Sequence, residues 1–420
     1  MDLRQRLELL RSLAGQVPGP PAGAAQGPAP GAPPADALDL EAVPTPCGTA
    51  YVRRRLLPPG HRHGRVPLGS FLDVSPEALG HLARHSGPVA CDPGEIGFLD
   101  TETTGLAGGT GTYAFVVGVG RFVPGGFRLS QFFLPDYDAE PALLAAVAEE
   151  LRSLRSVVTY NGKSFDLPLL RNRFILSRAG FPLDDPPHLD LIHPARRVFR
   201  DHLPDCALST VEAAVLGHHR EDDVPGHLIP GLYFDFLRTG HPAGMWRVLS
   251  HNQDDILALA ALAAELGRAF DNPSAWGAGP GGYAVHPWDW LGLGRALEDL
   301  GLWEHAAYCY RRAQEAPPAT EPHRQALRQA SRLHKRRHQH GEAARLWGRL
   351  GDVEALVELA KYHEHRRHDC RAAREAVLRA IELVVARRGV GGGTAALLAD
   401  LHHRLERVDR KLSRAGGGAP

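Results

Sequence analysis

The chain has 420 residues, 43% of them hydrophobic, and its 48 basic and 48 acidic side chains give a formal net charge of zero. That length suits two ordinary domains, and no uncharged apolar run approaches the roughly 18 residues that would span a membrane. Five scattered cysteines (Cys47, Cys91, Cys206, Cys309, Cys370) form no CxxC pair, which argues against a zinc knuckle or disulfide framework and suits a reducing cytoplasm.

Residues 1–14 (MDLRQRLELLRSLA) read as a short amphipathic helix, whose charges make it a poor signal peptide. Residues 15–40 carry the run GQVPGPPAGAAQGPAPGAPPA, which cannot bury a core and is expected to be a disordered linker. Residues 41–94 mix extended pieces such as AYVRRRLL with turns, and read as an extension packing on the domain that follows. His61 and His63 of HRHG would share one side of a strand as a metal pair. No further ligand is close in sequence, and loop or surface histidines are the favoured reading.

An α/β pattern occupies 95–270. IGFLDTET (96–103) is a short apolar run ending in carboxylates. TYAFVVGVGRFV (112–123) and FRLSQFFL (127–134) alternate as strands do, with Pro124-Gly125-Gly126 turning between them. Residues 139–155 place Leu143, Leu144, Val147, Leu151 and Leu154 on one helical side. SVVTYNG (156–162) is a buried strand stopped by Asn-Gly, and helices dominate to 270. Three antiparallel strands, a helix, a parallel strand and further helices predict a mixed sheet flanked by helices.

Residues 271–287, rich in Gly, Pro and aromatics, are expected to be a linker. Residues 288–412 are helix-rich. Leu293, Ala296, Leu297, Gly301, Ala306, Tyr310 and Ala313 fall at helix-turn-helix spacing that resembles a tetratricopeptide repeat (TPR), with two degenerate units following. Residues 413–420 read as a disordered tail. Residues 286–420 hold 24 basic and 17 acidic side chains, so the neutral total hides a basic C-terminal part and an acidic remainder. The run HKRRHQH (334–340) reads as a solvated helix face in preference to a nucleic-acid grip.

Three motifs carry chemistry. Asp100 and Glu102 are two apart at a strand end, so both carboxylates point one way and can share a cation. Two charges finishing a strand that should be buried call for a counter-charge, which a metal would supply. In YNGKSFD a strand turns into a helix at Asp166; a helix-cap role and metal ligation are both open to it. Asn161 is placed to hydrogen-bond nearby, and Lys163 to meet a phosphate or simply solvent. His251 and Asp255 stand at i and i+4, stacked on one helical face, so that one can ligate while the other takes a proton. His188, Asp190 and His193 form a further polar cluster, in which Asp190 capping the helix LIHPARR is favoured over a substrate contact. Arg196 and Arg197 are candidate phosphate contacts.

FLDTETTGL, YNGKSFD and HNQDD together resemble the three motifs of the DEDD-type 3′→5′ exonuclease superfamily. The HxxxD spacing resembles its histidine-bearing branch. HLDLIHPARR (188–197), DVPGHLIPGLY (223–233), HNQDDILAL and the TPR-like tail resemble the YprB-like ribonuclease H-like proteins of bacteria. The resemblance implies an α/β ribonuclease H-like domain followed by an all-α TPR-like helical domain. It implies Asp100, Glu102, Asp166 and Asp255 as ligands of two Mg²⁺ or Mn²⁺ ions, with His251 as general base. Thr103, Leu106, Asn161 and Lys163 become candidate substrate contacts, Leu106 by wedging against a terminal base. The expected substrate is single-stranded DNA or RNA, and the helical region offers a surface for a protein partner. The alternative is a nucleic-acid- or protein-binding adaptor built on a nuclease-like domain.

Overall fold

The computed structural model describes residues 35–84, 92–105, 111–183, 186–278, 282–386 and 393–416. The N-terminal helix, most of the Pro/Gly/Ala linker, Cys91 and Leu106 lie outside the described residues.

Residues 35–40 depart from the linker expected there. A helical turn, α1 (Ala35–Leu38), buries Leu38 and is followed by buried Leu40, because both side chains find the apolar face of the sheet. The hairpin β1 (Glu41–Thr45) and β2 (Gly48–Leu57) then does more than pack on the next domain. β2 pairs antiparallel with a strand some eighty residues later and so extends the sheet. β3 (Arg62–His63) and β4 (Val66–Pro67) form a small separate ribbon, and α2 (Pro76–Ala83) follows with Ser75 capping its first turn.

The sheet continues through β5 (Ile96–Thr103), β6 (Ala114–Val123) and β7 (Gly126–Phe133), each antiparallel to the last. After α3 (Glu140–Leu151), β8 (Ser156–Thr159) pairs parallel with β5. After α4 (Asp166–Leu176), β9 (His188–Asp190) pairs parallel with β8. The result is a mixed seven-stranded sheet in the order β1-β2-β7-β6-β5-β8-β9. β1, which contains Pro44, forms one outer edge.

Helices cover both faces. α5 (Ile192–Phe199) and α6 (Leu208–Val211), prolonged by a wider turn to Leu216, precede α7 (Ile229–Thr239) and the long α8 (Ala243–Asp271). Strand alternation sends Phe98, Phe122, Phe127 and Leu129 to one core with the C-terminal half of α8. Leu99, Val117 and Val119 go to the other core with α3, α4 and α7.

The helical region comprises α9 (Pro287–Asp299), α10 (Trp303–Ala313), α11 (Glu321–Arg336), α12 (His340–Leu350), α13 (Val353–Tyr362), α14 (Cys370–Ala386) and α15 (Gly393–Gly416), with consecutive helices packed together. α15 runs to Gly416, beyond the expected end at 412. The segment 271–287 is no free linker: Trp276 and Tyr283 are buried in one core with Phe199 and Trp290. Tyr283 donates to Asp289, which also closes the capping box that starts α9. α9 lies so close on α5 that a Cβ at Gly292 would meet the Arg197 and Val198 backbone oxygens within 2.6 Å. The basic run in α11 is paired with acids. Lys335, Arg336 and Arg337 reach Glu358, Glu298 and Glu304, in keeping with a helix face rather than a free cationic grip.

Candidate active site

The centre of the sheet positions the first two carboxylates. Asp100 and Glu102 lie on the β5 face turned towards α8, as alternation requires. Their β6 partners are Gly118 and Val116. A Cβ at Gly118 would stand 2.3 Å from Asn252 Oδ1, so the glycine lets α8 settle directly over Asp100. Asn252, fully buried, donates from Nδ2 to Asp100 Oδ2 at 2.8 Å. Its orientation is set in turn by Gln131, whose Nε2 donates to Asn252 Oδ1, while Arg53 donates to Gln131 Oε1.

Asp166 opens α4 and turns back to the end of β5, where its Oδ1 accepts the Thr101 hydroxyl at 2.6 Å. The turn that carries it is locked from β9. The buried Asp190 carboxylate accepts the backbone N–H groups of Asn161 (2.6 Å) and Lys163 (3.1 Å) as well as that of Ile192. Leu191, not Asp190, holds the N-cap position of the helix, without a side-chain cap; Asp190 reaches only its first N–H, at 3.3 Å, and chiefly shapes the YNGKSFD turn. Asn161 adopts φ +67°, which asparagine tolerates well. The Asn161 and Lys163 side chains are exposed, and the Thr103 hydroxyl is engaged with Gly105 O. His188, half-buried on the outermost strand, hydrogen-bonds Thr159, whereas His193 is exposed.

α8 supplies the rest. His251 Nε2 stands 3.5 Å from Asp255 Oδ2 and 3.9 Å from Glu102 Oε1. Donor atoms of Glu102, His251 and Asp255 all lie within 4.8 Å of one another. Three further side chains, absent from the motif reading, complete the pocket. Asp223 Oδ1 meets His251 Nδ1 at 2.6 Å. The guanidinium of Arg220, 6% exposed, donates to Asp255 Oδ1 at 2.5 Å and to Glu212 Oε2 at 2.7 Å, and lies 3.6 Å from Asp223. In the sequence Arg220 and Asp223 show as the charge run RED (220–222) and the first residue of DVPGHLIPGLY, Glu212 leaves no trace, and nothing local says where the loop goes.

The pocket is short of positive charge. Burial, then the charges of Asp255, Glu102 and Asp166, hold the Asp100 carboxyl well above its usual range. Burial, only partly relieved by His251, pushes Glu102 up to about 8, and burial raises Asp166 to about 6. Burial works against a charged His251 imidazole. Asp255, Glu102 and the hydrogen-bonded Asp223 outweigh it and raise its pKa. Carboxylates that repel one another in this way are what a divalent cation would relieve. An oxygen-rich donor set suits Mg²⁺ or Mn²⁺ over softer ions. Asp100, Glu102, Asp166 and Asp255 thus fit a divalent-metal site by their chemistry. Beside His251 opens a cleft of about 530 Å³, lined by Asp223, Trp246, Arg247, Ser250 and Asp254 among others.

Comparison with known proteins agrees with this architecture. A family model described as the RNase_H superfamily matches residues 97–267, the span that holds every residue of the pocket except Arg53. The chain is also 31% identical over 382 residues to the "Uncharacterized protein YprB" of Bacillus subtilis (strain 168), and the match covers 86% of each protein.

Proposed function

Since the chain belongs to the family of the B. subtilis YprB protein and carries an RNase_H superfamily, nuclease-like domain, we propose that it is a metal-dependent 3′→5′ exonuclease acting on single-stranded nucleic acid ends. The observation that carries this reading is the convergence, from three separate segments, of four carboxylates that repel one another, two of which, Glu102 and Asp255, face an imidazole held by Asp223.

Asp100, Glu102, Asp166 and Asp255 would hold two Mg²⁺ or Mn²⁺ ions, which when bound supply Lewis acidity at the scissile phosphate and lower the pKa of the attacking water. His251 takes the proton from that water through Nε2, the ring nitrogen that faces Asp255 and Glu102. Asp223, on the other ring nitrogen, fixes the tautomer and the ring plane. Asn252 and Thr101 hold Asp100 and Asp166 in place. Trp246, 41% exposed and backed by the Arg53 guanidinium 4.5 Å from its ring, presents a face on which a nucleobase can stack beside the base. The stacked helices from α9 onward are TPR-like and serve as the surface for a protein partner.

The test is hydrolysis of 3′- and 5′-labelled single strands of DNA and RNA with Mn²⁺. Nucleoside 5′-monophosphates should be released from the 3′ end, with no turnover in excess EDTA. Asp100→Asn should abolish release while circular dichroism stays unchanged. Full turnover by that variant, or by the wild type in EDTA, rules the mechanism out.

A further inference from the structure

The HRH segment finds its partners in three dimensions rather than in sequence. His63 is not a surface histidine: it is 2% exposed, and its Nε2 meets Glu212 Oε1 at 2.5 Å. Its ring lies against that of half-buried His218, with centroids 4.1 Å apart. The juxtaposition is built by backbone. The β3–β4 turn passes so close to the end of the α6 extension that a Cβ at Gly64 would stand 2.1 Å from Leu216 O. Arg65 N–H donates to that same oxygen at 2.7 Å. Gly64 and Gly217, both at positive φ, permit this approach.

We propose that His63, His218 and Glu212 form a zinc site, with water as the fourth ligand, separate from the four-carboxylate pocket. One nitrogen from each imidazole and a Glu212 oxygen lie within 4.8 Å of one another, near enough for small side-chain shifts to bring them onto a single ion. Two imidazoles and one carboxylate are a borderline-soft donor set that suits zinc, unlike the all-oxygen set next door. Glu212 is already supported as metal-ligating carboxylates are, because its second oxygen accepts from Arg220 Nε at 2.7 Å.

The charge balance also favours a cation. Glu212, Asp223 and Asp255 stand around one guanidinium, that of Arg220, and the Asp254 carboxylate is close enough to feel His63, His218 and Arg220. Ligand atoms around tetrahedral zinc stand about 3.3 Å apart, so His63 and Glu212 would separate by roughly 1 Å on binding. A zinc held there would tie the β3–β4 ribbon to the segment that presents Arg220 to Asp255.

The full-length chain is incubated with excess Zn²⁺, passed over chelating resin, and its zinc measured by plasma mass spectrometry. The wild type and Glu102→Gln should each retain one zinc per chain. Bound Co²⁺ should give the visible bands of a four-coordinate ion. His63→Gln and His218→Ala should retain at least about tenfold less. If burial makes His63→Gln fold poorly, half-buried His218→Ala decides, with circular dichroism as the control. No zinc in the wild type, equal zinc in folded His218→Ala, or zinc lost with Glu102→Gln overturns the proposal. None of these readouts depends on nuclease activity.

Discussion

Asp223 and Arg220 set the posture of the candidate base and of its neighbouring ligand. The 2.6 Å contact to Nδ1 leaves Nε2 facing Asp255 and Glu102, and Arg220 spans Asp255, Asp223 and Glu212. His251→Ala should keep metal binding, measured by calorimetry, while slowing hydrolysis about 10²–10⁴-fold at neutral pH; an unchanged rate removes His251 from the role. Asp223→Ala should lower kcat about tenfold with KM little changed, and Asp223→Glu should recover part of it. A loss confined to KM would mean that Asp223 touches substrate instead of orienting the ring. The carboxylates and His251 were legible because their relation is local: alternation along a strand, a turn into a helix, one helical turn. Asp223, Arg220 and Glu212 were not, since their meeting with α8 depends on the path of the whole segment from 200 to 224.

Among elements, the close seating of α8 on β5 and β6 positions the pocket. Gly118 opposite Asp100 and Gly120 opposite Phe98 are points of close approach, to Asn252 and Ile256. Gly118→Ala should push Asn252 off Asp100, costing about 1–3 kcal/mol in a urea melt and lowering turnover together. Unchanged stability would show that α8 has slack over the strand. The β5–β6–β7 meander and parallel β8 were readable from alternation and from Pro124-Gly125-Gly126. The β1–β2 hairpin was read as a packed extension because its pairing partner, β7, is remote in sequence, and register between distant strands leaves no local pattern. His63 was misjudged for the same reason. The two residues that bury it come from 212 and 218, and a lone HxH has no means of announcing them.

At the scale of the molecule, sheet domain and helical region share a core. Phe199, Trp276, Tyr283 and Trp290 form one aromatic cluster, and Gly292 brings α9 onto the α5 backbone. A chain ended at residue 286 should therefore be insoluble or lose its cooperative melt. A soluble, sharply melting fragment would show that the nuclease-like domain stands alone. The composition of 271–287 suggested a linker, since Gly and Pro dominate the count. Its few aromatics decide the matter instead, because Trp276 and Tyr283 are buried and an aromatic side chain buries about 150–250 Å².

The outer strand β1 bears on how the protein behaves in bulk. A bare sheet margin offers amide hydrogens to any passing chain and so templates precipitation. Pro44 has no such hydrogen, and its ring interrupts the row where a visiting strand would need to dock. This margin resists stacking of one molecule on the next.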